Sequence, residues 1–185
     1  EGRLQDVERM LAAATGEEKE TQTPSAGMVV GDTEELARLP GAIEMYRAAL
    51  ALVRGDSAAT IDHARLAIDR AAEGDHLTEA GASGLSGFAF WGGGDLEAAH
   101  QAFSLCVGGL LRAGNVSDVL GCSITLADIR STQGRLVDAL RTYERGLELV
   151  SPAVGHFFRG PADLYVGCSQ SPFARACRRP TLEHP

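Results

Sequence analysis

The chain has 185 residues, 44% hydrophobic and 23% charged, which suits a folded globular protein and excludes a disordered one. A formal net charge of −8 excludes a segment that grips nucleic acid by itself, since that needs a basic footprint. No run approaches the ~18 apolar residues of a membrane helix, no signal peptide is expected at its start, and aromatics at 5% beside abundant Ala and Gly favour close-packed helices over a β-sandwich.

In chain order, residues 1–14 open on "GRLQDVERML", whose Gly2, Leu4, Val7 and Leu11 stand at offsets that recur three more times downstream. They are expected to form the second helix of a preceding repeat. Residues 15–37 read as an acidic linker, with Glu17, Glu18, Glu20, Asp32, Glu34 and Glu35 as a solvated charge run. Its short apolar patch, Met28-Val29-Val30, is a packing contact or else a docking segment. Because the first residue is Glu1 rather than Met, a fragment or processed piece of a longer protein is expected.

Residues 38–169 repeat themselves. "GDSAATIDHARLAI" from Gly55, "GDLEAAHQAFSLCV" from Gly94 and "GRLVDALRTYERGL" from Gly134 align glycine on glycine at spacings of 39 and 40 residues. Small residues follow at the fifth position (Thr60, Ala99, Ala139), and Ala64, Phe103 and Tyr143 at the ninth. Before each glycine runs another helical stretch, the first with Pro40 placed near its start. In the third, Val116, Val119, Leu120, Cys122, Leu126, Ala127 and Ile129 wrap much of the circumference, so that helix is buried on two sides. The helix after Gly134 carries one stripe, Leu136, Ala139, Leu140, Tyr143 and Leu147. The expected fold class is therefore all-α: stacked helix–turn–helix hairpins, with the first helix of each sandwiched and the second outermost. Pro161, Leu164, Tyr165 and Cys168 read as the start of one more hairpin. Residues 170–185 then turn basic and Pro-rich, a loss of register expected from a shifted reading frame, a cloning scar or a divergent tail. The solenoid would be incomplete at that end, open to fraying or self-association.

"FWGGGDLEAAH", residues 90–100, raises the possibility of a phosphate cradle. A cradle of that kind ends in G-K-[ST], whereas here the sequence reads G-D-L, and Gly94 aligns with Gly55 and Gly134. A hairpin turn with Asp95 capping the next helix is expected instead, as Asp56 caps its own. Catalytic residues, metal ligands and cofactors are assigned to none of the residues. The five histidines show no ligand spacing, and Cys106, Cys122, Cys168 and Cys177 contain no C-x-x-C pair. Cys106 and Cys122 fall at apolar helical positions, where they are expected to be slow towards thiol reagents in a reduced, cytoplasmic setting.

The segments "RLPGAIEMYRAAL", "GDLEAAHQAF", "RAGNVSDVLGCSITLADIRSTQGRLVDALRTYERGLEL" and "RGPADLYVG" resemble the tetratricopeptide-like (TPR) repeat region of MalT-like regulators, the large ATP-binding members of the LuxR family. The likeness covers roughly residues 36–168. It implies a modular bacterial parent: a nucleotide-binding ATPase, a winged-helix segment, this sensor solenoid and a DNA-binding helix-turn-helix. Neither the ATPase motif nor a recognition helix occurs in the chain, so it is expected neither to hydrolyse ATP nor to bind an operator alone. The implied role is signal sensing or protein interaction, with a small-molecule inducer or protein partner in the concave groove. A free-standing adaptor for a peptide or protein is the alternative. On the repeat register that groove is expected to draw on Phe88, Trp91, Ile124, Asp128, Ser131 and Thr132, with Met45 and Leu52 from the earlier hairpin. Trp91 would stack on a ligand or else pack between hairpins. Asp128 would accept a ligand hydrogen bond or else pair with Arg130 or Arg135.

Overall fold

The computed structural model describes residues 2–15 and 32–149. Among them are seven helices and no strand: α1 (Gly2–Thr15), α2 (Thr33–Val53), α3 (Ser57–Asp69), α4 (His76–Gly92), α5 (Leu96–Arg112), α6 (Val116–Thr132) and α7 (Leu136–Glu148). The Met28-Val29-Val30 patch, the helix expected around Pro161 and the 170–185 tail lie outside the described residues.

Sequential helices pair as α2/α3, α4/α5 and α6/α7, and each hairpin leans its first helix on the second helix of the one before. The stack is the expected all-α solenoid. Its hairpins are joined by glycines in the left-handed region: Gly55, Gly94 and Gly134, as the spacing predicted, and also Gly74 and Gly114 between hairpins, with φ between 71° and 84°. At Gly94 the helix end closes by two backbone bonds, Gly94 N–H to Trp91 O and Asp95 N–H to Phe90 O, both 3.0 Å. The same pair recurs at Gly55, Gly114 and Gly134, the Schellman closure that satisfies a helix's last carbonyls. The acceptor after each glycine then caps the next helix: Asp56 takes the Ala59 N–H, Asp75 that of Thr78, Asp95 that of Ala98 and Asn115 that of Asp118. At Gly55, Gly94 and Gly114 one residue thus ends one helix and the next begins another, whereas α3 already ends at Asp69, ahead of Gly74. Arg135 is the exception and makes no side-chain cap.

Pro40 does not start its helix. α2 begins at Thr33, where Asp32 caps the N–H groups of Glu34 and Glu35 and both acids sit in the first turn, so Pro40 lies inside the helix. The cap and first-turn acids outweigh the one backbone bond that a proline cannot make.

The core is thin and alanine-rich. Ala48, Ala64, Ala67 and Ala82 join α2, α3 and α4. Ala99, Phe103 and Ile129 join α5 to α6. The predicted stripe of α7 puts Ala139 and Tyr143 against Leu120 and Ala127, with Leu140 and Leu147 partly buried beside them. Small residues let these backbones approach closely. A Cβ added at Gly109 would stand 2.8 Å from Ala80 Cβ, so α4 and α5 meet there almost without side chains.

Polar groups pin neighbouring helices. Glu44, 1% exposed, accepts from Arg47 (3.1 Å) on its own helix and from His63 (2.7 Å) and Arg70 (2.6 Å) at the far side of α3. Arg130, 8% exposed, bonds Glu97 at 3.0 Å, Gln133 at 2.7 Å and His100 Nδ1 at 2.9 Å, tying α6 to α5.

Candidate functional site

The step from one hairpin to the next is not uniform, and the site follows from that. α2 packs directly on α4: Met45 reaches across so that a Cβ at Gly81 would meet its Sδ at 2.7 Å. Forty residues on, the equivalent pair is Leu85 of α4 and Gly121 of α6. There nothing lies within 4 Å of a Cβ added at Gly121, and α4 and α6 make no extended contact. The parted helices leave an apolar groove of about 420 Å³, within the range of small-molecule sites.

One wall is the α4 row Leu77, Gly81, Leu85 and Phe88, at the spacing that stacks residues on one helix face. The opposite wall is Ser117, Asp118, Gly121, Cys122 and Thr125 of α6, and Phe103, Cys106 and Leu110 of α5 form the floor. Phe88 stands edge-on to Phe103 with ring centroids 4.9 Å apart, which fixes the rim against the floor. Asp118 brings a negative charge to one edge, where it also accepts from Asn115 Nδ2 at 2.7 Å. A second hollow of about 300 Å³ lies among α1, α2 and α3, lined by Gln5, Arg47, Arg54, Asp56 and His63. Two of those groups, Arg47 and His63, are already engaged by Glu44.

Of the eight residues expected on the concave surface, Phe88 is among those that line this hollow, and the other seven stand as follows. Trp91 is half-buried, packed with Phe90 and Leu96 against Ala99, Phe103 and Ile129, so it cements hairpins together. Ile124 packs into the α6–α7 core. Asp128 accepts the Tyr143 hydroxyl, while Arg130 and Arg135 pair with Glu97 and Asp138 instead. Thr132 Oγ1 donates to the Asp128 carbonyl at 2.9 Å. Both lie on the side of α6 that faces the groove, but beyond its end at Thr125. Ser131 is half-buried and accepts the turn N–H of Gly134 through its carbonyl at 3.0 Å. Met45 fills the α2–α4 step, and Leu52 is half-buried with its carbonyl taken by Gly55 N–H at 2.9 Å.

The glycine run of "FWGGGDLEAAH" offers no anion cradle. Gly93, Gly94 and Asp95 each donate their N–H to a carbonyl of α4. The reading as a turn stands.

Sequence reasoning missed the cysteines as a pair. Cys106 and Cys122, on different helices, bring their Sγ atoms to 3.7 Å at the groove floor. Hydrogen bonding between them, then burial, pushes the Cys106 thiol far up, and the same bond pulls the Cys122 thiol below its usual range. At the neighbouring joint, Arg130 and Gln133 lower the Glu97 pKa, whereas burial and then Arg130 lower that of His100. Among the described residues no group of three or more His, Cys, Asp or Glu is placed to hold a metal ion. None of their helices is long and apolar enough to cross a membrane.

The chain matches no curated protein and no solved structure. A family model does match, that of the MalT-like TPR region, over residues 41–170, a stretch that opens within α2 and runs through α3 to α7. With its glycine-punctuated hairpins and that match across most of its length, the chain belongs to the MalT-like TPR region family.

Proposed function

We propose that this chain is the signal-sensing solenoid of a cytoplasmic, LuxR-family transcriptional regulator, and that the groove between α4 and α6 receives the signal. One observation carries the reading: among the described residues the stack opens between α4 and α6, and the opening is apolar, ligand-sized and walled by two helices that make no extended contact. A ligand seated there would contact both halves of the stack and change their relation. Binding energy could then bias one arrangement over another, which is the thermodynamic requirement of a sensor. Family membership supports the regulator setting.

Gly121→Leu tests this in the parent protein. The position is exposed, helical and free of neighbours within 4 Å, so the side chain has room and the helix gains propensity. The melting temperature should hold or rise while signal-dependent transcription of a reporter is lost. A variant that responds like the wild type would overturn the groove as the signal site.

A further inference from the structure

Two thiols that merely fill space have no need to meet, yet Cys106 of α5 and Cys122 of α6 face each other at 3.7 Å. The helices that carry them are held in register on one side of the pair by the Ala99–Phe103–Ile129 packing and by Arg130 on Glu97 and His100, and on the other by Leu110 and Val119. A disulfide requires about 2.05 Å, so the sulfurs need to close by less than about 2 Å. Their settings differ. Cys106 is 4% exposed, whereas Cys122 is half-buried on the groove wall, where a small solute entering the groove meets it first.

We propose that Cys106 and Cys122 form a reversible thiol–disulfide site at the floor of the groove, oxidised by hydrogen peroxide. Cys122 is the attacking sulfur: an S–O bond forms, the O–O bond breaks, and hydroxide leaves to become water with the thiol proton. Cys106 then attacks the Cys122 sulfenic acid. The S–S bond forms, the S–O bond breaks, and the departing hydroxide takes the Cys106 proton as a second water. Two thiols and one peroxide thus become one disulfide and two waters. The lowered pKa of Cys122 and the raised one of Cys106 suit these parts, a thiolate that reacts and a thiol that resolves. Closure bonds α5 to α6 directly beneath the groove, and the chemistry stands whatever occupies that groove.

The unaltered full chain is treated with a few-fold excess of peroxide and mapped by peptide mass spectrometry. The expected product is a Cys106–Cys122 linked peptide, lighter by two hydrogens and restored by dithiothreitol. Oxygen addition at these cysteines without a cross-link, or oxidation confined to Cys168 and Cys177, would overturn the proposal. In Cys106→Ser, Cys122 keeps its reactivity but loses its resolving partner, so dimedone should trap it about tenfold more than in the wild type. Equal trapping in the two proteins would also overturn it. Because Cys106 is buried and its replacement can unsettle the fold, the peptide map of the unaltered chain decides the matter by itself.

Discussion

Gly93 and Gly94 are neighbours in sequence and opposites in constraint. Gly94 has φ 84°, and an added Cβ would touch nothing within 4 Å, so the cost of a side chain there is backbone strain alone. Gly94→Ala should lower stability by about 1–2 kcal/mol. Gly93 has φ −79°, an ordinary helical value, and an added Cβ would make only van der Waals contact. Gly93→Ala should leave stability unchanged or raise it by about 0.5 kcal/mol. Thermal unfolding of the two variants checks the pair, and equal shifts would refute the turn geometry. A third residue carries the pH dependence. Burial and Arg130 hold the His100 pKa below its ordinary value, so the folded state binds this proton less readily than the unfolded one. The stability it contributes is complete above the ordinary histidine range and is lost as pH falls through that range. Glu97, Arg135 and Asp138 face the same ring, and the last of these and Glu97 partly offset the effect. His100→Gln, which still offers Arg130 an acceptor, should flatten the stability slope between about pH 7 and 5, measured by urea unfolding at each pH.

At the scale of the helix, the joints that matter are those where side chains are absent. Gly109→Ala would drive a Cβ to 2.8 Å from Ala80 Cβ and 3.2 Å from the His76 carbonyl, neither of which is a flexible chain end. α4 and α5 must part, at about 1–3 kcal/mol, so the midpoint of denaturant unfolding should fall accordingly. Helix order was legible in the sequence because each hairpin repeats one local device, a left-handed glycine followed by a capping acceptor. The turns at Gly74 and Gly114 use that device too, but no alignment from Gly55, Gly94 and Gly134 reveals them, since they fall between hairpins. The start of α2 was misread because Pro40 is a strong local signal, although Asp32, Glu34 and Glu35 already marked a helix start upstream. The groove was nearly illegible. Phe88 could be placed from the register of α4, but the cavity depends on the distance between α4 and α6, which no single helix's periodicity encodes. Gly121 gave no trace of it, because its equivalent at the closed step, Gly81, is a glycine too. Cys106 and Cys122, sixteen residues apart on separate helices, read singly as core.

Among the described residues, contacts run between helices next to each other or next but one along the chain, as expected of a quasi-one-dimensional stack. Stability in such a stack is a sum of units and of the interfaces between them, so one poorly filled interface is a local fault that leaves the rest intact. Filling it with Gly121→Leu is therefore expected to stiffen the molecule without disturbing α2 or α3, whose amide hydrogen exchange should match the wild type. Slower exchange throughout both of those helices would show a longer-range coupling than the stack implies. The parted α4 and α6 also have a mechanical meaning. A pile of plates glued face to face is rigid, but a pile with one gap bends there, and the floor helix α5 is then the hinge leaf. A body wedged into the gap would set the angle, and every ångström of widening would be multiplied along α6 and α7. A sub-nanometre event at one joint is thereby written as a displacement at the far end of the rod.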